Sequence, residues 1–260
     1  LATMHGHVSV VELLLSRGAS VDIADFGGNT PLLWACRTGH VSMAALLLSR
    51  GASIHAADDF GNTAIIWASL KGHSSIIELL LSKGASIHDK HKHGSTPLLW
   101  ACQEGHVPAI ELLLSRGANV HDRDKDGRTP ILWASGRGLT SVVEQLLAKG
   151  ANIHDSDAYG YTPILWAAQE GNYPLAKLLL SKRANIRNRS SKRGLTPLLA
   201  ASKKGHLSLV NLLLSYGAKV DDRDNKDYTS LIWAARFGHV AVVELLLSRG
   251  AHNISPILLA

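Results

Sequence analysis

A repeat with a period of 33 residues limits the folds open to this chain. The motif Thr-Pro-Leu-Leu-Trp-Ala starts at Thr30, and close variants start at every 33rd residue through Thr162. Altered copies follow at Thr196 and Thr229. A fixed period of this length predicts a stack of similar supersecondary units, because each unit buries its apolar face against its neighbours rather than in one globular core.

Local signals predict two helices and an extended finger in each unit. Thr30 is suited to cap a helix because its hydroxyl can accept a backbone N–H, and Pro31 at the first helical position has no N–H to leave unpaired. Gly39 is expected to end this helix, and residues 41–49 supply a second helix with an apolar face. Gly51 stands where a left-handed C-cap is needed. About a dozen residues rich in turn formers then lead into the next unit.

These motifs resemble the ankyrin repeat family. The resemblance lies in Thr-Pro-Leu at the start of the first helix, Gly39-His40 at the turn, and the Leu-Leu run before Gly51-Ala52. It covers essentially the whole chain and implies an all-α solenoid of stacked helix-turn-helix units with β-hairpin-like fingers. It also implies a non-enzymatic scaffold that binds other proteins. The Trp-Ala variant of the motif is similar to one in ankyrin-rich membrane-spanning scaffold proteins.

The repeat boundaries predict a single ankyrin-repeat domain over residues 1–260. It comprises a partial repeat at 1–29, repeats starting near residues 30, 63, 96, 129, 162, 196 and 229, and a partial repeat at 255–260. The last finger, between Gly250 and Ser255, is expected to be truncated or missing. Neither end has the polar outer face of a capping repeat, so we expect the sequence to be a segment of a longer protein.

Composition and cysteine spacing exclude several classes of protein. No apolar run reaches the roughly 20 residues that cross a bilayer, so we expect no membrane insertion by this segment. Cys36 and Cys102 occupy the same position two repeats apart, which at about 10 Å per layer is too far for a disulfide. Free thiols favour a reducing, intracellular compartment, cytoplasmic or nuclear.

Two positions depart from the family pattern. The histidine of Thr-Pro-Leu-His is Leu or Ile in every unit, which removes the hydrogen-bond network that this histidine makes between repeats, so packing is expected to substitute for it. The next residue is tryptophan in six of seven units. A position repeated in this way favours a buried, stabilising ladder over a ligand-stacking surface. The tryptophans are Trp34, Trp67, Trp100, Trp133, Trp166 and Trp233.

Sites for catalysis, nucleotides and metals are not predicted. The histidines spaced by one repeat, from His55 to His154, lie about 10 Å from their neighbours in a stack, too far apart to share a zinc ion. His88, His91 and His93 share one finger and offer at most adventitious metal binding. No glycine-rich phosphate loop follows a strand, and Ser, His and Asp are spread periodically rather than converging. We therefore expect no enzyme activity, no cofactor and no small-molecule substrate.

A partner-binding face is predicted on the fingers and first helices, which would form a concave groove. Side chains there vary between repeats, as expected for recognition on a uniform scaffold, and exposed aromatics beside arginines are typical interface anchors. The candidate residues are Phe26, Arg37, Phe60, Lys71, Lys92, Arg128, Arg137, Tyr159, Tyr161, Arg189, Lys192, Arg193, Lys203, Lys204, Tyr228, Arg236 and Phe237.

Positive charge is concentrated in one segment of a chain whose net charge is +6. Residues 171–220 contain ten Lys and Arg and no Asp or Glu. Lys182 complements a helix dipole, as cations do at the same position in other repeats. Arg183 replaces an expected glycine, Ala200 replaces the tryptophan and the finger is one residue longer, and such clustered departures mark a functional surface. An acidic or extended segment of another protein is the predicted partner.

Two alternatives remain open from the sequence. One is that the segment is a regulatory or targeting arm of a larger enzyme or channel. The other is nucleic-acid binding through the cations of residues 171–220, which predicts a steep fall in affinity with added salt. Nucleic acid is disfavoured because no recognised DNA- or RNA-binding motif accompanies these cations and the charge excess is small.

Overall fold

The computed structural model describes residues 1–252. The chain forms two compact units, Leu1–Lys125 and Asp126–Ala260. The predicted partial repeat at 255–260 and the short finger that ends at Ser255 lie outside the described residues. The division into repeats of a single domain stays a prediction.

Short first helices alternate with second helices of nine residues along the described chain. The second helices are α1 (Val8–Ser16), α3 (Val41–Ser49), α5 (Ser74–Ser82), α7 (Val107–Ser115), α9 (Thr140–Ala148), α11 (Tyr173–Ser181), α13 (Leu207–Ser215) and α15 (Val240–Ser248). The first helices are α2 (Pro31–Thr38), α4 (Ala64–Leu70), α6 (Pro97–Glu104), α8 (Pro130–Gly136), α10 (Pro163–Glu170), α12 (Pro197–Lys204) and α14 (Ser230–Arg236).

Stacking follows the repeat in both units. In the first unit α2 packs on α4 and α4 on α6, and in the second unit α8, α10, α12 and α14 pack in the same order. Residues 1–252 contain no β-strand, and the fingers hold isolated antiparallel bridges between Ala57 and Thr63 and between Arg223 and Thr229. The predicted all-α ankyrin-type solenoid is confirmed, and its likeness to a β-hairpin is limited to these bridges.

The predicted helix starts and ends agree with the structure. The Thr30 hydroxyl accepts the Leu33 N–H at 3.4 Å, and the hydroxyls of Thr196 and Thr229 make the same bond at 3.3 Å. The threonines at the other four starts cap by backbone conformation alone, since no hydrogen bond from the cap side chain is present. Gly39 ends α2 with φ 86°, in the left-handed region that favours glycine.

Arg183 occupies a position where the other repeats have glycine. Its φ is 63°, and the equivalent Gly51 and Gly150 have φ 84° and 91°. A residue with a Cβ is strained in this left-handed region. The replacement of glycine by Arg183 therefore carries a local conformational cost of about 1 to 2 kcal/mol. The surrounding repeat keeps Arg183 in this conformation.

Six of the seven aliphatic residues that replace the family histidine lie in the core, and the seventh, Ile232, is partly buried. Leu33, Ile66 and Leu99 are at most 1% exposed in the first unit, and Leu132, Leu165 and Leu199 are equally buried in the second. Their packing with the second helices supplies the continuous apolar interior that a single repeat lacks.

Hydrogen bonds between repeats are nevertheless retained, through a different histidine. Nε2 of His40 lies 3.2 Å from the carbonyl oxygen of Met4, and Nε2 of His106 lies 3.1 Å from that of Leu70. His206 and His239 repeat the contact in the second unit at 3.2 and 3.1 Å. Packing of the aliphatic residues is therefore accompanied by hydrogen bonds from the Gly-His histidine to the preceding repeat.

Candidate functional site

The tryptophan ladder is not buried as predicted. Trp34, Trp67 and Trp100 in the first unit, and Trp133 and Trp166 in the second, are only partly buried. Trp233 alone among the six, all within the described chain, is buried, at 9% exposure. The buried-ladder interpretation therefore holds in full only for Trp233, and the other five indoles are partly buried.

The rings of Trp34, Trp67 and Trp233 nevertheless tie a first helix to its finger. Trp34 Nε1–H donates to Asp25 Oδ2 at 2.9 Å, and Trp67 makes the same bond to Asp58 at 3.0 Å. Asp58 Oδ1 also accepts the backbone N–H groups of Phe60 and Asn62, which closes the finger turn. We call this arrangement the Asp–Trp clasp. An aspartate nine residues before the tryptophan accompanies each clasp, a pattern that the sequence reasoning overlooked. The spacing does not suffice, since Asp157 stands nine residues before Trp166 and the Trp166 indole nitrogen has no hydrogen-bond partner.

Cations lie over the tryptophan rings. The guanidinium carbon of Arg37 is 4.9 Å from the Trp34 ring centroid and 4.5 Å from that of Trp67, so Arg37 lies between two indoles. The guanidinium carbon of Arg128 lies 4.6 Å from the Trp133 ring centroid. Arg128 Nε also lies 3.9 Å from Asp157 Oδ2. These cation–π contacts hold the guanidinium groups in place on the candidate surface.

In the first unit, the predicted aromatic and basic residues are spread along the finger tips and helix ends. Phe26 is fully exposed and Phe60 is 66% exposed. Lys71 follows the end of α4 and is exposed, as is Lys92, whose backbone N–H donates to the Phe60 carbonyl. The structure does not bring these four side chains into one cleft.

In the second unit, several predicted residues are engaged within the chain. Tyr161 packs against Trp166 with ring centroids 5.0 Å apart, and desolvation raises its pKa. The guanidinium of Arg189 donates to the carbonyl oxygen of Arg223, which ties the longer finger to the next one. Tyr159 is about half exposed at a finger tip. Arg137 shares a shallow cleft of about 250 Å³ with Arg128.

Six of the predicted residues meet in one cleft of about 510 Å³ between the last two first helices of the described chain. We call this the 192–237 cleft. Its walls come from two fingers and from α12 and α14, so residues distant in sequence face the same space. Lys204 was predicted to belong to the same binding surface and follows Lys203 in α12, but it does not line the cleft. The six residues are Lys192, Arg193, Lys203, Tyr228, Arg236 and Phe237.

Aromatic packing forms the floor of the 192–237 cleft. Trp233 stacks on Phe237 with ring centroids 5.8 Å apart and ring planes 11° apart. The Tyr228 and Trp233 rings pack edge to face with their centroids 5.2 Å apart. Lys203 Nζ lies 4.4 Å from the Trp233 centroid. Desolvation, followed by repulsion from Arg193, lowers the pKa of this ammonium group. The cleft therefore combines an apolar floor with clustered positive charge.

The basic segment 171–220 is not one surface. Lys192, Arg193 and Lys203 line the cleft, where Lys226 and Arg236 from outside that segment join them. The remaining cations belong to other parts of the repeats, mainly the second helix α11 and the loops that follow α11 and α13. They are Lys177, Lys182, Arg183, Arg187, Arg189, Lys204 and Lys219.

Side chains that could hold a metal do not converge in the described part of the chain. No group of three or more His, Cys, Asp or Glu in residues 1–252 has the geometry of a metal site. His55, His88, His121 and His154 are exposed, and His91 instead packs edge-on against Trp100 at 5.1 Å. Among those residues, too, no helix has the length and apolar character that crossing a membrane requires.

The stacked two-helix units and their variable finger face define a tandem helical-repeat protein of the recognition class. Four overlapping matches to a family described as ankyrin repeats (3 copies) cover residues 1–58, 51–124, 117–190 and 182–256. The chain belongs to the ankyrin repeat family. Ankyrin repeats are generally protein–protein interaction modules and typically non-catalytic. A comparison with curated proteins found no match.

Proposed function

We propose that this chain is a non-catalytic scaffold of the cell interior that binds another protein through its fingers and first helices. Within it, the 192–237 cleft anchors an acidic or extended segment of the partner. The observation that carries the proposal is the convergence of Lys192, Arg193, Lys203 and Arg236 with the exposed ring of Phe237 in one cleft. Arginine and aromatic anchors of this kind dominate protein interfaces.

The other exposed residues of the same face extend the proposed contact surface. Phe26 and Phe60 present large apolar areas at finger tips, and Arg37 is held in place by two indoles. Immobilised cations and rigid rings lose little conformational entropy on binding. We propose that these residues supply contact area while the basic cleft steers the partner's acidic segment.

The test compares two quadruple charge reversals of equal size. Lys192, Arg193, Lys203 and Lys204 are changed together to Glu, and in the matched control Lys177, Arg183, Arg187 and Lys219 are changed to Glu. The partner is first identified by crosslinking mass spectrometry in native cells and then titrated calorimetrically. We expect the first variant to lose at least about tenfold in affinity, since rim and cleft charges both act on association. The control variant is expected to bind normally.

Thermal unfolding of both variants separates binding from folding, and it is expected to change little because the exchanged side chains lie largely at the surface. Unaltered partner binding by the first variant would remove the cleft from the proposal. Nucleic-acid binding is tested separately by filter binding over a salt series. A steep salt dependence that the first variant abolishes would favour the nucleic-acid alternative instead.

A further inference from the structure

The 192–237 cleft contains more positive charge than its own acidic group can balance. Five cations line it, namely Lys192, Arg193, Lys203, Lys226 and Arg236. Asp224 is the one carboxylate among the described residues that line it. Like charges held close together repel one another, and this repulsion is relieved when an anion enters.

The Asp224 carboxylate accepts three hydrogen bonds within the Asp–Trp clasp, and none of them comes from a side-chain cation of the cleft. Oδ1 accepts the backbone N–H groups of Lys226 at 2.8 Å and Tyr228 at 3.0 Å. Oδ2 accepts Trp233 Nε1–H at 2.9 Å, and the residue is 6% exposed. Its role is structural. We therefore infer that the hydrogen-bond donors of the surrounding Lys and Arg can bind an acceptor from outside the chain.

Two of the cation-bearing elements are held in position around the cleft. Lys203 is fixed over Trp233, and the finger that carries Lys192 and Arg193 is tied to the next finger. Asn225 makes this tie with two hydrogen bonds. Its backbone N–H donates to the Arg193 carbonyl at 3.0 Å, and its side-chain amide donates to the Lys192 carbonyl at 3.4 Å. A preorganised set of donors favours a compact, multiply charged acceptor over a diffuse one.

Phe237 gives the cleft an apolar wall next to these donors. Its ring is 51% exposed and lies nearly parallel to Trp233. Lys203 Nζ is 5.9 Å from the Phe237 centroid, so the positive charge and the open ring are adjacent. The stem of a bound side chain can therefore lie on Phe237 while its charged end reaches the cations.

We propose that the 192–237 cleft binds a phosphorylated side chain in the partner's segment, which deepens the proposed function and rests on it. A phosphoryl group carries a charge of about −1.5 to −2 near neutral pH and presents three acceptor oxygens, against a single charge on Glu. It is the single side-chain group that best matches several converging Lys and Arg donors. Lys192, Arg193 and Lys203 hold the phosphate, and Phe237 holds the stem that carries it.

The direct test uses the full chain and a peptide array with randomised flanks. The central residue is phosphotyrosine, phosphoserine, tyrosine or glutamate. We expect either phosphorylated series to be retained at least about tenfold more strongly than the glutamate series at near-physiological salt, since extra charge-assisted hydrogen bonds are formed. Inorganic phosphate should compete with the retained peptides. Equal retention of the glutamate and phosphorylated series, or no retention of any series, would overturn the inference.

Adjacent lysines provide a matched pair of variants. Lys203→Gln removes a cation that lines the cleft, whereas Lys204→Gln removes the same charge one residue further on and outside it. We expect Lys203→Gln to weaken phosphopeptide binding by about tenfold or more and Lys204→Gln to change it much less. Arg193→Gln serves as a second cleft variant without a ring contact, in case loss of the Trp233 contact destabilises Lys203→Gln. Equal effects of the Lys203 and Lys204 variants, with Arg193→Gln at wild-type affinity, would contradict the assignment.

Phosphatase treatment of the identified partner separates this inference from the proposed function. Loss of binding after treatment supports both. Binding that survives treatment but is lost in the cleft charge-reversal variant keeps the proposed function and overturns the phosphate inference. Binding that is insensitive to that variant overturns both. A single-stranded oligonucleotide that binds as tightly as the phosphopeptides and depends on the same residues would also overturn the assignment to a protein segment.

Discussion

Single side chains decide whether a finger is tied to its first helix. Asp25, Asp58 and Asp224 each accept an indole N–H and backbone N–H groups, so one carboxylate stabilises both the turn and the tryptophan. His91 stands at this position in the repeat that starts near residue 96. Its Nδ1 accepts the Ser95 N–H at 3.1 Å, but the Trp100 indole nitrogen is buried without a hydrogen-bond partner.

His91→Asp is expected to stabilise the protein. We expect the new carboxylate to follow the Asp58–Trp67 pair, and not the Asp157–Trp166 pair, whose indole stays unpaired. It then accepts the Trp100 indole N–H as well as backbone N–H groups, and one such bond contributes about 1 kcal/mol to the free energy of unfolding. Urea denaturation measures the change. The reverse exchange, Asp58→His, is the matched control and should destabilise by about 1 kcal/mol because it leaves the Trp67 indole unpaired. Destabilisation by His91→Asp would contradict the clasp as a transferable unit.

The pKa shifts of two histidines predict a loss of stability in mild acid. Desolvation lowers the pKa of His73 and, reinforced by the nearby His93, that of His91. Because the folded state disfavours their protonation, the unfolded chain binds more protons once the pH falls below about 6.5. The stabilising contribution is complete above that pH and is lost as the pH falls through the lowered pKa values of the folded state.

Urea titrations between pH 7.5 and 5 measure this loss. His73→Asn should flatten the pH profile, since the equivalent Asn172 already bonds to the Gly138 carbonyl at 3.1 Å without a titrating ring. A profile for His73→Asn that matches the wild-type one would show that burial of this histidine is not the cause.

At the scale of helices, the first helix of one repeat ends against a histidine of the next. A Cβ placed on Gly39 would lie 2.7 Å from the His73 ring, and one on Gly72 would lie 2.6 Å from the His106 ring. Glycine at these helix ends therefore serves two purposes. It accommodates the left-handed backbone and leaves room for the ring that bonds back to the preceding repeat.

Gly39→Ala and Gly51→Ala separate these two purposes. Both glycines have nearly the same positive φ, 86° and 84°, but a Cβ on Gly51 meets nothing within 4 Å. Gly51→Ala should cost about 1 to 2 kcal/mol from backbone strain alone. Gly39→Ala should cost a further 1 to 3 kcal/mol, roughly the cost of overpacking a tight contact. Equal losses in chemical denaturation would show that the His73 ring moves aside freely.

At the scale of the whole molecule, the two cysteines report on unfolding of the unit Leu1–Lys125. Cys36 and Cys102 are fully buried, and burial raises the pKa of the Cys36 thiol to about 12 and that of Cys102 as well. Only the thiolate reacts with a disulfide reagent. Labelling therefore requires the surrounding repeats to open.

Ellman's reagent is expected to label the native chain only at the rate of unfolding, and both thiols at once in denaturant. Ser53→Cys places a thiol on an exposed finger and should react immediately, which controls for reagent activity. Rapid labelling of two thiols in the folded wild-type chain would contradict the burial of Cys36 and Cys102.

Much of the architecture was predictable because repeat signals are local. Thr30, Gly39 and Gly51 act within a few residues of themselves, and their positions gave helix limits that the structure confirms. The candidate site was only partly predictable. Lys203 and Lys204 are indistinguishable in sequence, and which of the two lines the cleft depends on the α12 face that packs beside α14. The partner-binding residues as a set remain a prediction.

The 33-residue period determined the fold on its own, since a unit that cannot bury its apolar face must stack on copies of itself. Tertiary packing alone determined which polar and aromatic side chains are buried, paired or clustered. It left five tryptophans partly buried, paired Trp233 with Asp224, and gathered cations from two fingers and two helices around Phe237. Those outcomes depend on distances between residues of neighbouring repeats, and such distances are set when the repeats stack.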